Sequence, residues 1–167
     1  MKPIAALTLS IALAGCAINF PQTAEEFRKA APEATFGKTE TIEVNRPFRQ
    51  VASTFQRKAP ECLNIAVRMT ERSTTSYHVV ESVYKPTVLV GKERAELHVQ
   101  LDYKKGVIVP GKVPEGGTYL LVADAYPLSG NRTKLQWFGP SRGHDTLIRA
   151  VKGWATGENL GCPDLTK

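Results

Sequence analysis

The chain has 167 residues, a hydrophobic fraction of 42% and a formal net charge of +6. This length allows one folded domain with a buried core and leaves no room for several. The modest basic excess suits anionic partners such as phospholipid head groups, lipopolysaccharide or wall polymers, but it is also common on proteins that bind nothing charged.

The first sixteen residues have the pattern of an export signal. Lys2 supplies a positive charge, residues 3–14 are apolar apart from Thr8 and Ser10, and Gly15 and Cys16 follow. A positive start before a short apolar stretch is typical of a secretory signal. Twelve residues would span about 18 Å as a helix, against roughly 30 Å for the hydrocarbon core. We therefore expect no permanent transmembrane helix here.

The run Leu13, Ala14, Gly15, Cys16 resembles the lipobox of bacterial lipoproteins at all four positions. The resemblance implies that residues 1–15 are removed as a signal peptide, that diacylglycerol is attached to the Cys16 sulfur, and that the new amine is acylated. Only a thiolate is nucleophilic enough for this transfer. We expect a protein of the bacterial cell envelope, held to a membrane by the lipid on Cys16. The alternative is an ordinary signal peptide whose cleavage site includes a cysteine.

Two cysteines remain if Cys16 carries lipid, namely Cys62 and Cys162. An oxidising periplasm favours their pairing, and a loop of about a hundred residues would gain roughly 4–5 kcal/mol from it. The alternative is two separate buried thiols.

In the enteric sorting scheme an aspartate after the lipidated residue retains a lipoprotein in the inner membrane. Ala17 therefore favours the outer membrane, facing the periplasm.

Residues 16–38 are predicted to form a tether that contains a short helix. Thr23 can cap the first turn, where Glu25 and Glu26 suit the helix dipole, and Pro32 ends it. The single folded domain is predicted to occupy residues 39–167. Its first strand covers residues 39–44 and leads into a helix.

That helix is predicted to begin at the cap Asn45 and to end at Pro60, because the residue before a proline is disfavoured in the α region. Its buried face contains apolar residues at helical spacing, Phe48, Val51, Ala52, Phe55, Ala59 and Cys62.

The clearest strand is residues 94–103, where five apolar residues alternate with polar ones. Such alternation is typical of an antiparallel sheet with one wet face. Other strands are predicted at 63–69, 77–90, 118–126 and 132–138. Pro86 in the second of these suits only an edge or a bulge.

Residues 106–113 have nearly the spacing of a phosphate-binding loop, but Val113 replaces the required hydroxyl, so we interpret them as a long hairpin loop. A last helix runs to about Thr156.

The fold class is therefore α+β, with an antiparallel sheet of five or six strands and two helices on one face. The opening run from Ile42 to Val51 resembles the first strand and helix of helix-grip (START/Bet v1-like) domains. This resemblance implies a cavity between sheet and helices. A smaller sheet of the TATA-binding-protein type fits the order nearly as well.

Few residues are candidates for a site. Arg94 and His98 lie on the polar face of the clearest strand, which is either a functional face or simply solvated. Trp137 and Trp154 either line a pocket or pack in the core. Asp124 interrupts an apolar run and is predicted to pair with Arg132 across a hairpin.

Catalytic and metal motifs are lacking in the sequence. The three histidines stand at positions 78, 98 and 144, without metal-ligand spacing. His144 beside Asp145 is interpreted as helix capping because no serine stands in a nucleophile-elbow setting. We expect no cofactor, no metal and no nucleic-acid partner.

The sequence favours a non-catalytic envelope module that binds or assembles with a protein partner. The alternatives are a carrier or sensor of a small apolar ligand and, third, an enzyme acting on wall or lipid. An anionic envelope component is a further possible partner.

Overall fold

The computed structural model describes residues 19–72 and 77–166, so Cys16 and the lipobox lie outside the described residues. It is an α+β fold, as predicted, with these elements in chain order: α1 (Ala24–Ala30), a 3-10 turn (Ala31–Glu33), β1 (Gly37–Val44), α2 (Phe48–Leu63), β2 (Ala66–Arg72), β3 (Tyr77–Val90), β4 (Ala95–Lys105), β5 (Thr118–Leu128), β6 (Arg132–Pro140) and α3 (Asp145–Thr156).

The six strands form one antiparallel sheet in the order β1-β6-β5-β4-β3-β2. β1 and β2 are its edges, and β4 and β5 lie at its centre, where Glu96 is paired with Asp124. None of the helices in the described ranges has the length and hydrophobicity needed to cross a bilayer.

The helices α2 and α3 cover one face of the sheet, which we call the inner face. The alternation predicted for β4 is confirmed, since its apolar residues point into this core. Most of the largest fully buried side chains fill the space between sheet and helices. They are Trp154, Phe55, Leu63, Leu97, Leu121, Leu135 and Leu147. Burial of this apolar surface is the main favourable term in folding.

The boundaries of α2 differ from the prediction. Its N-cap is Pro47 and has no side-chain cap, so the prediction of Asn45 as cap is wrong. Pro60 lies inside the helix, which continues to Leu63. Because Cys62 and Leu63 are buried in the core, their packing offsets the helix hydrogen bond that proline removes.

Pro86 lies in β3, which is an interior strand of the sheet. β2 pairs with β3 only from Tyr77 to Val83, so Pro86 lies beyond the reach of β2 and has a partner on one side only, Val99 of β4. β3 is therefore locally an edge at this point, and the missing N–H leaves no ladder bond unmade.

A disulfide joins Cys62 to Cys162, with Cα atoms 5.0 Å apart and a sequence separation of 100. The predicted pairing is confirmed. It ties the end of α2 to the segment that follows α3.

At the same end of α3, the Arg46 guanidinium donates to the Trp154 carbonyl oxygen at 2.6 Å, which satisfies a carbonyl that the helix leaves free.

The helix predicted within residues 16–38 is present as α1, with Thr23 Oγ1 accepting from the Glu26 N–H. α1 and the turn after it lie against the second face of the sheet, which we call the outer face. There Ala24 and Ala31 pack with Val122 and Phe138. This part of the expected tether therefore belongs to the folded domain.

Candidate functional site

A buried charge cluster joins α1 to the outer face of the sheet. The carboxylate of Asp124 on β5 is 0% exposed and accepts two hydrogen bonds of 2.7 Å from Nε and Nη2 of Arg28 on α1. Arg28 Nη2 also donates to Glu96 on β4. We call Arg28, Glu96 and Asp124 the clasp. The sheet register places its two carboxylates side by side, and the guanidinium offsets their mutual repulsion.

Glu96 also contacts the two polar residues that the sequence selected. Arg94 Nη2 lies 2.7 Å from Glu96 Oε1, and His98 Nε2 lies 3.0 Å from Glu96 Oε2. His98 is buried, with its ring edge-on to Tyr119, so this part of the outer face is not simply solvated. The structure thus brings Arg94 and His98 to one cluster.

The ionisation of the clasp follows from these contacts. Burial alone would raise the pKa of Glu96, but hydrogen bonds from Arg28 and His98, together with nearby positive charge, lower it below its ordinary value. Burial opposes the charge of Arg28, yet its two acidic partners outweigh that effect and raise its pKa. Arg28 and Glu96 are therefore held in their charged forms.

The partner predicted for Asp124 is wrong. Arg132 lies opposite Leu128 at the far end of the β5–β6 hairpin, and it pairs instead with Glu43 of β1 at 2.7 Å. Arg28, the true partner, is 96 residues away in sequence. The signal available in the sequence was the need of a carboxylate inside an apolar strand for some cation.

An open groove of about 440 Å³ lies beside α1 on the outer face, and we call it the outer groove. Its lining is mostly apolar and includes Phe27, Ala31, Phe36, Tyr119, Leu120 and Pro140. Phe36 is 52% exposed and has the guanidinium of Arg142 3.6 Å from its ring centre. The outer groove is open along its length and enclosed mainly by the sheet and the turn after α1.

The two tryptophans lie apart from this cluster, on the inner side of the sheet. Trp154 is fully buried and donates its indole N–H to the Gly161 carbonyl oxygen at 2.9 Å. Trp137 is buried on β6, with Lys152 Nζ 5.0 Å from its ring centre. Both therefore pack in the core, which was one of the two interpretations of the sequence.

The described residues offer limited chemistry. The His98–Glu96 pair has the arrangement of a base and its orienting carboxylate, but the only hydrogen bond of the His98 ring within the described ranges goes to Glu96. His144 occupies the N-cap position of α3 without a side-chain cap, and burial lowers its pKa although Asp145 opposes this.

In the described part of the chain, one group of potential metal ligands lies close together: Glu61, Cys62 and Cys162. The two cysteines are joined as a disulfide and have no thiolate to offer a metal.

No protein-family model matches the sequence, and no curated protein matches it. Several solved structures resemble the fold, including the following three. A hypothetical protein from Helicobacter pylori has 13% identity and a TM-score of 0.41, with 92% of this chain and 99% of that chain covered. A START superfamily protein from Mycobacterium smegmatis has 13% identity and a TM-score of 0.38, with 74% and 96% covered.

The third is a conserved protein from Geobacillus kaustophilus, with 14% identity, a TM-score of 0.38, and 73% of this chain and 93% of that chain covered. The START superfamily is the helix-grip class that the opening strand and helix resemble in sequence. With TM-scores below 0.5, these likenesses indicate neither a ligand nor an activity for this chain.

Replacement of Arg28 by alanine tests the clasp. It leaves Asp124 buried without its cation, and loss of one partner of a buried pair costs about 3–5 kcal/mol in the free energy of unfolding. Lys29→Ala, on the exposed side of the same helix, should change it by about 0.5 kcal/mol or less. Urea unfolding measures both, and equal effects of the two variants would contradict the clasp.

Comparison of the native chain with Arg28→Ala also gives a pH test. The pKa of Glu96 is lowered in the folded state from an ordinary value of 4.5, so its stabilisation is present above that pH and is lost as the pH falls below it. The difference in stability between the native chain and Arg28→Ala should therefore shrink in acid.

Proposed function

We propose that this chain is a lipid-anchored, non-catalytic protein of the bacterial envelope that binds a protein partner through the outer groove. One observation carries this proposal: a mostly apolar groove lies open on the outer face, while large side chains fill the space between sheet and helices. A carrier of the helix-grip type would need its cavity in that filled space.

The shape of the outer groove favours a protein as its occupant. Sites for small molecules bury about 70–90% of the ligand, whereas the outer groove is open and would leave one side of a small ligand in water. A protein partner would cover that open side. Aromatic and arginine side chains are enriched in protein interfaces, and Phe36 stacked on Arg142 stands at the exposed end of the groove.

The location in the envelope rests on separate support. A disulfide between residues 100 positions apart is expected in an oxidising compartment such as the periplasm. The resemblance of residues 13–16 to a lipobox would place the lipid on Cys16. Several acyl chains together give stable anchoring.

A second function, binding of a small apolar ligand, is favoured by the volume of the same groove. About 440 Å³ lies within the range of ligand pockets, about 300–1,000 Å³. Crosslinking at position 36 separates the two functions.

Substitution Cys16→Ser tests the anchor. A serine hydroxyl cannot take the place of the thiolate in lipid transfer, so the variant should keep residues 1–15 and should carry no lipid. Mass spectrometry of the N-terminal fragment measures both properties. The native chain should begin at Cys16 with a lipid-sized increase in mass. An identical N-terminal fragment in the two proteins would contradict the anchor.

A photo-crosslinking residue in place of Phe36 tests the partner. In intact cells it should form a covalent adduct with one protein, because this side chain lies at the mouth of the outer groove. Gln56 on the exposed side of α2, across the sheet, is the matched control position and should give no such adduct. Ala34 is exposed and lines the groove. Ala34→Glu should therefore reduce the amount of adduct severalfold.

The other outcomes are equally informative. A lipid or other small molecule captured at position 36 would contradict the protein partner and favour the second function. Equal adducts at positions 36 and 56, or none at either, would contradict both functions of the groove.

A further inference from the structure

The loop between β4 and β5, residues 106–117, exposes apolar side chains at its tip. Ile108 is 95% exposed, and Val107 and Val113 are also exposed. Solvated loops do not need such residues, and exposed apolar groups that cluster in space mark contacts with proteins or membranes. Exposure to water alone therefore does not explain an isoleucine at position 108.

Basic residues surround this apolar tip. Lys104, Lys105 and Lys112 flank it and are exposed. Three acidic residues are near: Glu115 within the loop, Asp102, which is hydrogen-bonded by Lys104 and by Lys85 of β3, and Glu81 of β3, which lies opposite Lys105 and pairs with Arg68 at 3.5 Å. Lys105 and Lys112 have no acidic partner among the described residues. An apolar tip with free lysines beside it suits a surface of anionic phospholipids.

The N-terminal part of the chain leaves the domain at this same loop. Gln22 Nε2 donates to the carbonyl oxygens of Phe20 and of Lys112, both at 2.9 Å, so residues 20–22 lie against the loop. Cys16 precedes Phe20 by four residues, which reach at most about 14 Å when fully extended. A lipid on Cys16 would therefore enter its membrane on the side of the domain that holds this loop.

We propose that residues 106–117 form a second membrane contact, in which Ile108 and Val107 enter the head-group region of a phospholipid bilayer and Lys105 and Lys112 contact anionic head groups. This inference rests on the lipid anchor of the proposed function. The contact would fix the orientation of the domain, with the end of the sheet that holds this loop against the membrane and the β5–β6 turn pointing away.

The test uses the full lipidated chain in vesicles of phosphatidylethanolamine and phosphatidylglycerol. An environment-sensitive fluorophore is attached through Ile108→Cys, an exposed site, under conditions that keep the disulfide intact. Its emission should shift to shorter wavelength, and nitroxides on the lipid chains should quench it. The matched control is Ser129→Cys, exposed in the turn at the opposite end of β5. Its label should remain accessible to iodide in water.

A second pair of variants tests the lysines. A double variant, Lys105→Glu with Lys112→Glu, tests this in the same vesicles. It should lower severalfold the fraction of the Ile108→Cys label whose emission is shifted to shorter wavelength. In vesicles of phosphatidylcholine alone the two lysine changes should have little effect, because the attraction to anionic lipid is absent. Equal effects in both kinds of vesicle would overturn the role of the lysines.

Failure of this proposal and failure of the anchor give different results. If the chain stays with the vesicles and Cys16 does not react with the fluorophore, but the label at position 108 remains in water, the second contact is wrong and the anchor is intact. If Cys16 reacts as a free thiol and the chain does not associate with vesicles, the anchor is wrong and the contact falls with it.

Discussion

The ion pair between Arg28 and Asp124 fixes α1 on the outer face of the sheet. Asp124 lies at the centre of that sheet, 0% exposed, where a carboxylate without a cation would strongly destabilise the fold. Arg28 supplies the cation from a helix of only seven residues. Helices this short are marginal in water. The ion pair therefore stabilises α1 as well as the buried carboxylate.

Both proposed contacts of the protein depend on where α1 lies. Phe27 of α1 and Ala31 of the turn after it form one wall of the outer groove, and Gln22, just before α1, contacts the loop of residues 106–117 at Lys112. If α1 left the sheet, the groove would lose this wall and the chain would leave the domain elsewhere. One buried pair thus couples the face proposed to bind a partner to the side of the protein that would face the membrane.

The inner half of the fold was predictable from sequence because it depends on periodicity. The alternation in β4 and the helical spacing in α2 and α3 each reflect one buried face. The cysteine count led to the pair Cys62 and Cys162. Local rules failed where packing outweighed them, as at Pro60, which lies inside α2 because the residues after it are buried. Pro86 is tolerated because the neighbouring strand β2 begins opposite Val83 and does not extend to it.

The outer half was not predictable in the same way. Periodicity showed that Glu96 and His98 lie on the polar face of β4, but it could not show that a helix from the presumed tether would cover them. Asp124 was recognised as needing a cation, yet the nearest arginine along the hairpin was chosen over one 96 residues away. Pairings between distant residues follow from the three-dimensional arrangement, which no local pattern contains.

Amide hydrogen exchange of α1 tests this account most directly. Because an isolated helix of this length is marginal, its amides are protected only if α1 is held on the sheet. In the native chain the amides of residues 27–31 should exchange far more slowly than those of an unstructured peptide. Arg28→Met should remove this protection while the amides of α2 keep theirs. Exchange of residues 27–31 at the unstructured rate in the native chain would contradict the account.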